Sequence, residues 1–186
     1  MKTKSIILLV ALFGYVANTS AQKYITKTGQ IEIFSETPVF TIEAVNKKVA
    51  SILNIETGEV VVSTLVRSFD FEEALVEEHF NENYIESHKF PKSTFKGKIK
   101  NLDAINFSKD GVYPFQIVGD LTIHGVTKNV TQDGSFTIAD GKINAKIDFI
   151  VSLQAYEVKV EKAYKDAIKD EIELEMDFDF LPMAKK

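Results

Sequence analysis

Three histidines, 27 acidic side chains and no cysteine are the groups in this sequence that could bind a metal or move a proton. His79 and His88 lie nine residues apart around the end of a helical stretch, and His124 sits inside GDLTIHGVTKNVT, between an alternating segment and a turn-rich one. A zinc site needs imidazoles at short fixed spacings such as HExxH or HxH, and neither pattern occurs. No GxSxG elbow presents a serine, no cysteine can act as nucleophile, and the glycines form no loop that cradles a phosphate. The acidic run EEALVEEHFNEN lacks the alternating DxDxDG ligands of a calcium loop. His79 therefore reads as a helix-surface or rim residue, and His124 as an outward or strand-end one, because alternation sets it opposite Leu121 and Ile123. No catalytic group, metal site or cofactor is expected.

The elements that carry these residues begin after a leader. MKTKSIILLVALFGYVANTSAQ joins two lysines, an apolar run from Ile6 to Val16 and the small-residue exit Thr19-Ser20-Ala21, the pattern of a secretory signal peptide cut after Ala21. Residues 1–21 are thus expected to be removed and 22–186 to form one domain, 165 residues long and periplasmic or secreted. An exported chain without cysteine must fold on burial alone. The formal charge of −5 becomes −7 once Lys2 and Lys4 are lost, with no basic block. That excludes nucleic acid as a partner and gives no electrostatic pull toward anionic lipid, and no further apolar run is long enough to span a bilayer.

Downstream the dominant period is two. DEIELEMDFDF places Ile172, Leu174, Met176, Phe178 and Phe180 on one face and four carboxylates on the other. Weaker alternation runs through GQIEIFSET, TGEVVVSTLVRSF, STFKGKIKNL, VYPFQIVGDLTI and GSFTIADGKINAKIDFIV. Thr57-Gly58, Asp110-Gly111 and Asp140-Gly141 suit tight turns, and Asp133-Gly134 suits either a turn or a bulge. Asp70 with Glu73 forms a capping-box pattern ahead of Val76, Phe80 and Tyr84, which predicts a helix of about four turns over 71–86. VEKAYKDAIKD predicts a short second helix over 160–169. Roughly eight antiparallel strands with local turns point to an all-β barrel, since closure removes the edges.

An eight-stranded barrel encloses side chains or one small ligand. With 14 Phe, 6 Tyr and no Trp, the interior is expected to be apolar. The inward residues that would meet a ligand are Phe95, Ile99, Phe115, Ile117, Leu121 and Ile123 from the middle strands. Phe136, Ile138, Met176 and Phe178 add to them from the later strands, and Phe80 from the helix.

GDLTIHGVTKNVT resembles the signature hairpin of the YceI-like proteins, through Gly119, Leu121, Thr122, Ile123, Gly125, Val126, Thr127, Lys128 and Val130. HFNENYIESHKFPKSTFKGKI resembles that family's helix and the segment after it, matched by Phe90, Pro91, Ser93 and Phe95. The likeness extends over residues 23 to 182. It implies a lipocalin-like, exported antiparallel barrel that holds an isoprenoid or other long apolar lipid chain, in a carrier, storage or stress-related role, with no enzymatic step. The first hairpin, GQIEIFSETPVFTIEAVNKKVASILN, is more compact than the family's usual form, which would shorten or close the cavity. A filled barrel acting as an interaction module, or a small exported enzyme with polar groups inside, are the competing readings. A second copy of the chain is a further candidate partner.

Overall fold

A computed structural model describes residues 23–183, so the leader lies outside the described residues. The chain forms β1 (Lys23–Glu36), β2 (Thr41–Asn54), β3 (Glu59–Leu65) and β4 (Asp70–Phe71), then a short helix α1 (Ala74–His79). Five strands follow: β5 (Lys92–Ile99), β6 (Gly111–Ile123), β7 (Val126–Ala139), β8 (Lys142–Ser152) and β9 (Glu171–Pro182). Neighbours pair antiparallel in the order β1-β9-β8-β7-β6-β5-β3-β2, and β2 pairs back onto β1. Eight strands thus close a barrel with no free edge, and the two-residue β4 adds only Ala44↔Phe71 and Val45↔Asp70 against β2.

The turns follow local chemistry. Asp140 and Gly141 take positive φ angles of 50° and 73° between β7 and β8, and His124 and Gly125 take 50° and 76° between β6 and β7. Both are two-residue hairpin turns, which need a left-handed backbone at each position. Asp133-Gly134 is neither turn nor bulge: β7 runs straight through it, pairing Asp133↔Gln116 and Gly134↔Phe115. Gly134 is there for space, because a β-carbon would stand 2.6 Å from the Phe115 ring.

The helix expected over 71–86 is shorter. Asp70 and Phe71 are held extended by β2, so no capping box forms, and α1 starts only at Ala74 with Glu73 as an extended N-cap. It then widens into a π-helical turn over Phe80–Tyr84, eleven residues in all, where the Asn81 amide donates to the Glu77 carbonyl at 3.0 Å. The expected second helix over 160–169 is absent as such. That stretch holds a single 3-10 turn, Lys162–Tyr164, and loose turns. An isolated segment of that length gains too few hydrogen bonds to offset nucleation. The first hairpin consists of two strands of 14 residues each, β1 and β2, kinked by register shifts near Gly29.

The two ends of the barrel differ. At one end the β5–β6 loop folds inward and sets Leu102, Ile105 and Phe107 against Ile99, Phe136 and Ile138. At the other lie the β1–β2 loop, the β3–β5 crossover carrying α1, the His124-Gly125 turn and the β8–β9 crossover.

Candidate functional site: an apolar cavity with one open end

Along β9 the inward side chains change from half-buried Ile172, Leu174 and Met176 to Phe178 and Phe180, each only 2% exposed. Along β6, which runs the opposite way, Phe115 and Ile117 are buried while Leu121 and Ile123 are half-exposed. Inward residues can stay accessible only if they face a void, so the barrel is solid at the β5–β6 loop end and hollow toward the crossovers. The void is a cavity of about 520 Å³ open at that end. Ligand sites typically run about 300–1,000 Å³.

Nine of the eleven expected inward residues line it: Phe80, Phe95, Phe115, Ile117, Leu121, Ile123, Phe136, Met176 and Phe178. Ile99 and Ile138 do not. Each is 2% exposed and packed under the inward-folded β5–β6 loop, which fills the end where the strand pattern alone would continue the cavity. Alternation could have found Ile147, Phe149 and Val151 on β8, which also line the wall. It could not have found Tyr156 and Val158 of the β8–β9 crossover, whose position depends on tertiary packing.

Polar groups inside are few. Thr64 is satisfied by accepting the Asn46 amide at 2.8 Å, and Asn46 also reaches the Leu65 carbonyl at 3.0 Å. The Tyr156 hydroxyl is buried without a partner, and burial pushes its pKa up. Tyr84 is raised as well, first by burial and then by the Glu161 carboxylate. Among the described residues no group of three or more His, Cys, Asp or Glu side chains is placed to hold a metal.

His124 differs from its sequence reading. It is at the strand end, but its side chain is 11% exposed and points into the crossovers rather than outward. Nδ1 is 3.1 Å from the Tyr156 carbonyl oxygen and Nε2 is 3.1 Å from Oε2 of Glu86. Both partners are acceptors, so the ring satisfies both when each nitrogen carries a hydrogen. The Phe90 ring lies edge-on at 4.6 Å and covers Gly125 so closely that a β-carbon there would be 2.5 Å from it. The two sequence segments that carry the family likeness therefore touch: the hairpin turn is clamped between the β3–β5 and β8–β9 crossovers, beside the cavity mouth. Hydrogen bonds from Lys89 and then His124 hold the Glu86 carboxyl below its ordinary range. His79 stands at the mouth, its ring 6.1 Å from that of Tyr164.

The sequence matches the YceI-like domain family over residues 15–180. No curated protein matches it in sequence. Among solved structures, a polyisoprenoid binding domain from Saccharophagus degradans implicated in plant cell wall breakdown superposes with a TM-score of 0.76 at 9% identity, covering 88% of this chain and 99% of that one. Burkholderia cenocepacia BcnA gives 0.68 at 15% identity, over 82% and 96% of the two chains. A Campylobacter jejuni YCEI protein gives 0.57 at 14% identity over the full length of both. At such identities the likeness is one of fold.

Proposed function

The chain belongs to the YceI-like family, and from that membership together with its hollow interior we propose that it is an exported binding protein that holds one long apolar chain, isoprenoid or similar, inside the barrel. The observation that carries this is the cavity: about 520 Å³, walled by aliphatic and aromatic side chains and open at one end. Each methylene moved from water into such a wall contributes about 0.8 kcal/mol, so a tail can be held without a charged anchor. The name of the Saccharophagus degradans domain, a polyisoprenoid binding domain, supports the same class of ligand. A filled barrel acting only as an interaction module fits less well, because half-buried Ile172, Leu174 and Met176 line the cavity. An enzyme would need a polar constellation in the cavity, and its wall offers scattered groups, of which Thr64 is already taken by Asn46 and the Tyr156 hydroxyl stands alone.

Export rests on residues 1–21 and belongs to the same proposal. The mature chain is proposed to begin at Gln22 in the periplasm or outside the cell. Organic extraction and mass spectrometry of protein purified from its native envelope test the binding role: a stoichiometric apolar chain is expected, and an empty barrel from every preparation rejects it. N-terminal sequencing of that material tests export, an intact Met1 start counting against it. A homodimer, the further partner the sequence raises, is tested by sedimentation equilibrium, a single monomer mass rejecting it.

A further inference from the structure

We propose that the mouth of the cavity docks on a lipid bilayer of zwitterionic headgroups, seating its apolar rim among them so that a chain passes between membrane and barrel without crossing water. The inference rests on the binding role above. Nine large apolar side chains stand most exposed on the described residues, and three of them, Val39 at 68%, Leu75 at 61% and Tyr164 at 40%, also line the cavity. A side chain that is both cavity wall and outer surface marks the edge of the mouth. These three come from separate segments, the β1–β2 loop, α1 and the β8–β9 crossover, so they define a rim around the opening rather than one stripe. Half-buried Phe40 and Ile168 continue the rim inward.

The chemistry of the rim fits a bilayer surface. Tyr164 lies between Lys162 and Lys165, all three exposed, and such side chains place an apolar stem below a polar tip at headgroup level. On the α1 side the rim is flanked by exposed Glu72, Glu73 and Glu78, in a chain of net charge −5, which opposes approach to anionic lipid. The barrel itself stays outside the hydrocarbon, since the outward face of β9 carries Glu173, Glu175, Asp177 and Asp179. An apolar chain leaving the mouth into water would expose every methylene, whereas a seated rim removes that barrier.

Flotation of the protein, as purified from its host, with phosphatidylcholine vesicles tests the docking. A variant carrying Val39→Thr, Leu75→Gln and Tyr164→Gln removes the exposed rim. A control carrying Ile52→Thr, Val61→Thr and Leu181→Gln removes three other exposed apolar groups that, with Ile25, form an outer row in register across β9, β1, β2 and β3, away from the mouth. The wild type and the control are expected to float, and the rim variant to partition about tenfold less and to take up a pyrene-labelled hexadecyl chain from vesicles correspondingly more slowly. Adding phosphatidylglycerol is expected to weaken flotation. A wild type that stays with the soluble fraction, a control that loses as much as the rim variant, or flotation that phosphatidylglycerol strengthens would overturn the proposal. Mass spectrometry of the same samples separates the two readings. A bound chain without flotation sinks the docking alone, and flotation by a barrel in which no chain is ever found sinks the binding role while leaving the docking.

Discussion

His124 shows how a residue's neighbours can lie beyond the reach of sequence pattern. Alternation places it opposite Leu121 and Ile123, and those two do face the cavity, but its partners are Tyr156 and Glu86, 32 and 38 residues away in two different crossovers. No local periodicity encodes that meeting. What was legible is Gly125 as a position of the signature hairpin, and its left-handed backbone is what the two-residue turn requires. His124→Ala removes both hydrogen bonds and leaves a non-glycine residue at positive φ with no side-chain tether, so a loss of about 1–2 kcal/mol is expected in urea unfolding. A change within about 0.5 kcal/mol would mark the imidazole as mere surface. Glu86 gives the same site a pH dependence. Its folded pKa lies below the ordinary carboxylate value, so its contribution is complete above that ordinary value and is lost as pH falls through the folded one. Glu86→Gln should therefore lower stability near neutrality and flatten its decline on acidification below about pH 4.5. Salt should shrink the difference, the carboxylate being partly exposed. Parallel acid limbs for the two proteins would remove Glu86 from the account.

At the scale of elements, strands were readable and helices were not. The pattern of DEIELEMDFDF became the inward and outward faces of β9 residue for residue, because period-two burial is imposed by one dry face along the whole strand. The helix boundary failed because pairing with β2 took Asp70 and Phe71, a long-range contact that outweighed a capping pattern. Its stripe survived the error: Val76, Phe80 and Tyr84 all face the cavity, with Phe80 against Phe69 and Phe71 at ring separations of 5.9 and 4.8 Å. The helix is nevertheless weakly held, with no buried residue among Ala74–His79. Few buried contacts mean a low local opening energy. Amides of α1 are expected to exchange at least about a hundredfold faster than those of the central β8 and β9 ladder, whose opening approaches global unfolding. Protection in α1 equal to that of β8 would show that the cap opens only with the barrel, and a ligand would then have to enter elsewhere along the rim.

For the molecule as a whole, the question composition left open was whether the phenylalanines fill the barrel or line it. Among the described residues some do one and some the other, in different halves. At the closed end Phe115 stacks on Phe136 at a centroid distance of 4.3 Å and Phe107 meets Phe136 edge-on at 5.7 Å, where the inward-folded β5–β6 loop consumes Ile99 and Ile138 as core. Toward the crossovers the same alternation continues around the cavity, with only a smaller buried cluster of Val66, Ile85, Phe149, Val151, Tyr156 and Val158 packed against part of it. No single strand carries that asymmetry. It arises from connections of different behaviour, the β5–β6 loop folded into the barrel and the β1–β2 loop and the two crossovers spread around its mouth, and loop conformation is the part of a sequence that periodicity describes least. The hollow half then makes a prediction that separates a container from an imperfect core. Leu174 lies in the hollow stretch of β9, half-buried, with the packed Phe178 two inward positions further on. Leu174→Trp adds an aromatic ring to open space, so it should leave stability unchanged or raise it slightly, whereas in a close-packed core the same enlargement costs about 1–3 kcal/mol. The ring would also stand across the path of a long tail. Mass spectrometry of the purified variant should show long chains lost and shorter ones kept, and ligand-dependent stabilisation, which grows as the logarithm of ligand over its Kd, should shrink for long chains alone. If Leu174→Trp destabilises the protein as a core enlargement does and retains every chain length, the space beside Leu174 is not where a ligand lies.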